Sequence, residues 1–102
     1  MAVPLSKPTL DRLRALFPED EWAAAEKLLT ESCADNLPLI HNPTPYGLER
    51  IRFAVLKNSE GKSHKLQEAA QLARIDWRDA LVVAGFGHDV DVHKTWWPGE
   101  SG

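Results

Sequence analysis

The sequence predicts an all-α fold: an irregular bundle of five to six short helices, with an N-terminal helical hairpin packed on a C-terminal helical core. Two observations carry this. Apolar residues recur at helical spacing in successive segments, with Pro, Gly and Asn punctuating the gaps between them. The one β-branched run, Leu81-Val82-Val83, has no second strand-like run to pair with.

The first helix is predicted over Thr9–Phe17, placing Leu10, Leu13, Leu16 and Phe17 on one face. Pro18 breaks it, and Glu19, Asp20 and Glu21 favour the positive end of a second helix. There Trp22, Ala25, Leu29, Ser32 and Cys33 fall at helical spacing. Asn36, Pro38, Pro43, Pro45 and Gly47 mark a long loop, the main boundary of the chain. A third helix is expected from about Gly47 to Asn58, closed by the turn signal Asn58-Ser59-Glu60-Gly61. The fourth starts near Ser63, read as its N-cap, and buries Leu66, Ala69, Ala70, Leu72 and Ala73. Asp76 caps a fifth, Trp77–Ala84, with Gly85 as its left-handed stop. Asp89 is read as the cap of a last helix through Trp97, closed by Pro98. The expected organisation is one domain over residues 1–98, divided into a hairpin (9–34), a loop (35–47) and a helical core (48–97). Residues 99–102 form an expected flexible tail.

Bulk properties narrow the function classes. A chain of 102 residues hides roughly 65% of its unfolded surface as one domain. Its 43% hydrophobic and 26% charged content is that of a globular protein. A net charge of −3 argues against general attraction to nucleic acid or anionic membrane. No apolar run approaches the ~18 residues of a membrane span, and the N-terminus lacks a signal-peptide core. The single cysteine, Cys33, excludes an internal disulfide and suits a reducing compartment, so the cytoplasm is the expected location. Charge is uneven along the chain: the middle, residues 48–78, is basic between acidic ends, which suits parts that pack with complementary fields.

Three segments resemble small uncharacterised bacterial all-helical proteins: Glu31 to Pro38 (ESCADNLP), Glu49 to Lys57 (ERIRFAVLK), and Asp76 to Leu81 (DWRDAL) with Ala84-Gly85-Phe86. The resemblance spans most of residues 10–97. It implies a small helical protein, and no activity, cofactor or site residue comes with it.

Several constellations could carry chemistry. His88, Asp89, Asp91 and His93 offer imidazoles and carboxylates within six residues, a mix suited to zinc, manganese or iron. On a helix, however, His88 and His93 point about 140° apart, and only Asp89 and His93 share a face. Such a site needs further ligands from His41 or His64, or from a second chain. Cys33 with His41 and Asn36 could form a nucleophile trio, but Cys33 falls near a helix C-terminus on the buried stripe, where the dipole opposes a thiolate. Gly85-Phe86-Gly87 lacks the third glycine of a dinucleotide loop. Arg50, Lys57, Lys62, His64 and Lys65 suggest a basic face, read here as solvated.

Arg52 and the tryptophans are the most instructive. With Leu48 as the origin of a helical wheel, Ile51, Val55 and Leu56 lie at about 300°, 340° and 80°, and Arg52 at about 40°, inside the apolar stripe. A guanidinium there must pair. Asp79, Asp76 and Glu49 are the expected partners, in a salt bridge fastening the third helix to the fifth, and an anion receptor is the functional alternative. Trp22 and Trp77 begin helices as core residues. Trp96 and Trp97 are adjacent and point about 100° apart on a helix, which puts one at a rim, as in binding hot spots. The functional expectation is therefore a non-catalytic protein-interaction module, whose partner is another protein or a second copy of itself, with Arg52, Trp96 and Trp97 as binding residues and no cofactor. The alternative is a metal-binding protein or small metal-dependent enzyme using His88, Asp89 and His93.

Overall fold

Burial on the third helix organises the molecule. In the computed structural model, which describes residues 4–33, 37, 44–88 and 91–98, every residue from Ile51 to Leu56 is buried. Five helices form an all-α bundle: α1 (Lys7–Leu16), α2 (Trp22–Ser32), α3 (Pro45–Ser59), α4 (Ser63–Ile75) and α5 (Trp77–Ala84). Helix α3 packs against α1, α4 and α5, and the hairpin of α1 and α2 closes over α3 and α4. Two cores result. Leu13, Leu29, Ile51, Val55, Leu56 and Leu66 belong to the larger one. On the other side of α3, Phe53 and Ala54 meet Leu81, Ala84 and Phe86. No helix among the described residues is long and apolar enough to cross a membrane.

Helix limits follow local chemistry. Ser6 caps α1 by accepting from the Thr9 backbone N–H, so this helix begins two residues before the expected start. After Pro18 the acidic triplet Glu19–Glu21 forms a 3₁₀ turn, and the α-helix starts only at Trp22. Thr44 caps α3 through the Gly47 N–H at 2.9 Å, with Pro45 at the first helical position. The helix thus begins inside the segment expected as loop. The rest of that loop, residues 34–36 and 38–43, lies outside the described residues, as do the tail 99–102 and Asp89. The fourth helix departs from expectation at its cap: Lys62 holds the N-cap position without a side-chain bond, and the Ser63 hydroxyl instead donates to Glu21. Leu72 is half-buried, whereas the other four expected apolar residues of α4 are buried.

Helix α5 matches its expected ends. Asp76 accepts from the Arg78 N–H at 3.0 Å. Gly85 adopts φ 82°, with Gly85 N–H on Val82 O and Phe86 N–H on Leu81 O. This pair of bonds, with Phe86 packed in the same core as Leu81, is the Schellman arrangement. The last expected helix is corrected. Val92–Thr95 is a single 3₁₀ turn, Asp91 occupies its N-cap position but its side chain does not cap the turn, and Trp96 is already extended.

The α3–α4 turn carries two left-handed residues, Glu60 (φ 53°) and Gly61 (φ 75°). A Cβ on Gly61 would sit 2.8 Å from the Leu16 carbonyl oxygen, so the end of α1 packs directly on this turn. We expect Gly61→Ala to cost at least about 1–2 kcal/mol from the backbone alone, before the clash. Glu60→Gly relieves the same backbone at the expense of an exposed ion pair to Lys65, and should hold or raise the urea midpoint. Equal midpoints for wild type and Gly61→Ala would contradict this reading of the turn.

Candidate functional site

Because α3 is enclosed, its polar side chains must find partners inside the protein. Arg52, only 3% exposed, donates from Nε to the Cys33 carbonyl at 2.8 Å and from Nη1 to the Pro4 carbonyl at 3.0 Å. It therefore fastens α3 to the end of α2 and to the N-terminal segment, where a link to α5 was expected. Of the expected carboxylate partners, Asp76 grips Arg78 through two bonds at 2.9 Å, and Glu49 accepts from the Ser6 hydroxyl at 2.7 Å. Burial lowers the Arg52 pKa, as desolvation disfavours its charge. A cavity of about 310 Å³ lies beside it, lined by Leu5, Ser6, Thr9, Leu48 and Glu49.

The basic segment also turns inward. Arg50 donates to the Phe86 carbonyl at 2.6 Å, Lys57 to the Ala84 carbonyl at 2.8 Å, and Asn58 to the Ala80 carbonyl at 3.2 Å. Lys57 thus serves a terminal carbonyl of α5, of the kind an isolated helix leaves unsatisfied, while Arg50 binds one just beyond the helix and Asn58 one within it. Lys65 pairs with Glu60. The expected solvated basic face thus loses Arg50 and Lys57 to the interior.

The C-terminal segment is clamped by a residue that the sequence did not single out. Arg12 on α1 lies over the Phe53 ring at 4.4 Å and the Trp97 ring at 5.0 Å, and donates to the Trp96 carbonyl at 3.0 Å. Nothing local in the sequence marks it, since its partners lie more than forty positions away. Trp96 is half-buried against Phe53 and Phe86, and Trp97 is 38% exposed. The pair therefore divides as expected, one ring inward and one at the rim, although on extended backbone. Of the residues expected to bind together, Arg52 is buried beneath the N-terminal segment while Trp97 lies at the surface.

His93 is fully buried, ringed by Tyr46, Phe53 and Phe86, and neither ring nitrogen has a hydrogen-bond partner among the described residues. The Glu49 carboxylate stands 3.8 Å from Nε2. Asp91 takes the Tyr46 hydroxyl instead, and Lys94 lies over the Tyr46 ring. His88 is exposed. No group of three His, Cys, Asp or Glu side chains converges among the described residues. The expected Cys33 trio reaches His41 and Asn36, outside those residues. Cys33 itself is buried, and burial pushes its thiol up to about 11, so it stays protonated near neutral pH.

Among the described residues, the most exposed large aliphatic side chains lie elsewhere. Ile75 at the end of α4, and Val82 and Val83 on α5, are 74%, 68% and 66% exposed. Trp77, Ala80, Leu81 and Ala84 take the inward face of α5, leaving Arg78, Asp79, Val82 and Val83 outward. β-Branched residues gain nothing from a solvated helix face, in propensity or in hydration. No family model, curated protein or solved structure matches the chain.

The buried imidazole gives a pH signature. Desolvation holds the His93 pKa below its ordinary value, with Arg50 and Lys94 acting in the same direction and Glu49 and Asp91 opposing. Below about pH 6.5 the unfolded chain takes up a proton that the folded chain refuses. Stability is therefore full above that pH and declines as pH falls towards the folded value. Asp76 and Glu60, whose carboxyls are lowered by bonds to Arg78 and Lys65, lose their contribution only at more acid pH. Urea midpoints should fall between pH 7.5 and 5.5 for wild type and stay flatter for His93→Phe. Parallel curves would show that His93 does not resist protonation in the fold.

Proposed function

We propose that this chain is a non-catalytic protein-interaction module that docks through the outward face of α5 and the adjoining end of α4. The observation that supports it is the exposure of Ile75, Val82 and Val83, each about two-thirds or more open to solvent. Scattered exposed aliphatics are ordinary, but two on one short helix and a third at the end of the helix before it favour a contact site. The packing beneath is firm: Asp76 starts α5, Gly85 ends it, and Arg50, Lys57 and Asn58 bind carbonyls at or just beyond its C-terminal half. A rigid element needs little ordering on binding, which favours recognition. Trp97 is a weaker anchor than the sequence suggests, because Arg12 already covers one side of its ring.

A photo-crosslinking side chain at Val82 should yield a discrete adduct in the native cell. The same group at Ala15, exposed on α1 away from this face, should not. Indistinguishable adducts from the two positions, or none from either, would contradict a docking role for α5.

A further inference from the structure

We infer that the cavity beside Arg52 binds a small zwitterionic amine with an aliphatic body, an amino acid of the leucine type, held through its ammonium group on Glu49.

The cavity suits a small molecule with one polar end. Its volume of about 310 Å³ sits at the low end of ligand pockets, which run from about 300 to 1,000 Å³. Pro4, Leu5 and Leu48 supply aliphatic wall, and the polar groups are Ser6, Thr9, Glu49 and Arg52. A few polar groups in an otherwise apolar pocket are what orient a ligand. None of these residues belongs to the outward face of α5, so the cavity stands apart from the docking surface.

Hydrogen-bond direction singles out Glu49. Ser6 gives its one hydroxyl proton to Glu49 Oε1 at 2.7 Å, so the Thr9 hydroxyl, 2.8 Å away, is the donor to Ser6. Neither hydroxyl has a proton left to offer a ligand, and the relay ends on the carboxylate. Oε2 accepts no hydrogen bond among the described residues, because His93 Nε2 stands 3.8 Å off, too far to make one. No Lys or Arg among those residues forms an ion pair with Glu49, whose side chain is only 16% exposed. The fully buried His93 behind it has no hydrogen-bond partner among the described residues for either nitrogen. A carboxylate so enclosed, with one oxygen unfilled, calls for a charged donor. An ammonium group brings N–H donors and the opposite charge together.

Arg52 sets the other end of the ligand. Its guanidinium holds the Cys33 and Pro4 carbonyls and also lines the cavity, so its charge acts there. A simple amine would add a second cation beside it. A zwitterion keeps the ligand neutral and turns a carboxylate towards the positive wall, an arrangement that counts for more where water is excluded. The aliphatic wall takes the side chain.

The experiment is titration of the full chain with L-leucine to about 20 mM, followed by NMR of the backbone amides and the imidazoles. Leucine should shift the amides of Leu5, Thr9 and Leu48 and move the His93 ring resonances through Glu49, while those of the exposed His88 stay in place. Isoamylamine and isocaproate each carry one half of the zwitterion, and each should bind at least about fivefold more weakly. Glu49→Gln keeps an acceptor for Ser6 but removes the charge, and should weaken leucine binding at least about tenfold. Leu5→Trp fills the cavity without touching a charge and should abolish binding; helical circular dichroism checks that both variants are folded. Unchanged spectra at the highest leucine concentration overturn the inference. So do shifts confined to other surfaces, a half-ligand that binds as tightly as leucine, or full affinity in Glu49→Gln or Leu5→Trp.

Discussion

Everything in this molecule depends on enclosing α3. Six consecutive buried residues leave the middle of this helix no solvated side, so Arg52 cannot be sent to water, and the half-buried Arg50 and Lys57 at either flank also turn inward. The chain resolves this by aiming them at main-chain carbonyls where other elements end. Arg52 takes Cys33 at the end of α2, Lys57 takes Ala84 at the end of α5, and Arg50 takes Phe86 just beyond it. Terminal carbonyls lack intrahelical donors, and cations are favoured where the dipole is negative. One constraint, the burial of a charged helix, thus satisfies two sets of groups at once.

The same device explains how α5 can exist. Eight residues are too few to hold a helix in water unaided. Caps at both ends, donors from α3 and the inward side chains of Trp77, Ala80, Leu81 and Ala84 hold it in place. With those contacts supplying its stability, the outward residues are released from structural duty. That freedom is what permits a cation, a carboxylate and two valines to stand together in solvent.

Legibility in the sequence varied with how local each signal was. The ends of α5 could be read because Asp76 and Gly85 act within their own turn. The place of Arg52 on the apolar stripe was also readable from spacing, but its acceptors were not, since two carbonyls carry no side-chain signature. The 3₁₀ turn at Val92–Thr95 replaced an expected helix because Arg12, more than eighty positions away, draws the Trp96 carbonyl into an extended path. Ser63 looked like a cap and instead serves Glu21, a contact set by the packing of α2 on α4. The exposed valines were accessible to the wheel argument applied to Arg52: Val82 and Val83 fall more than about 90° from Leu81 and Ala84, respectively.

Native-state hydrogen exchange tests the central claim most directly. If α3 is the enclosed axis, the amides of Arg52 to Leu56 should exchange only through global unfolding, slower than any in α1 or α5. Exchange of those amides through local opening, at rates matching the outer helices, would contradict the account.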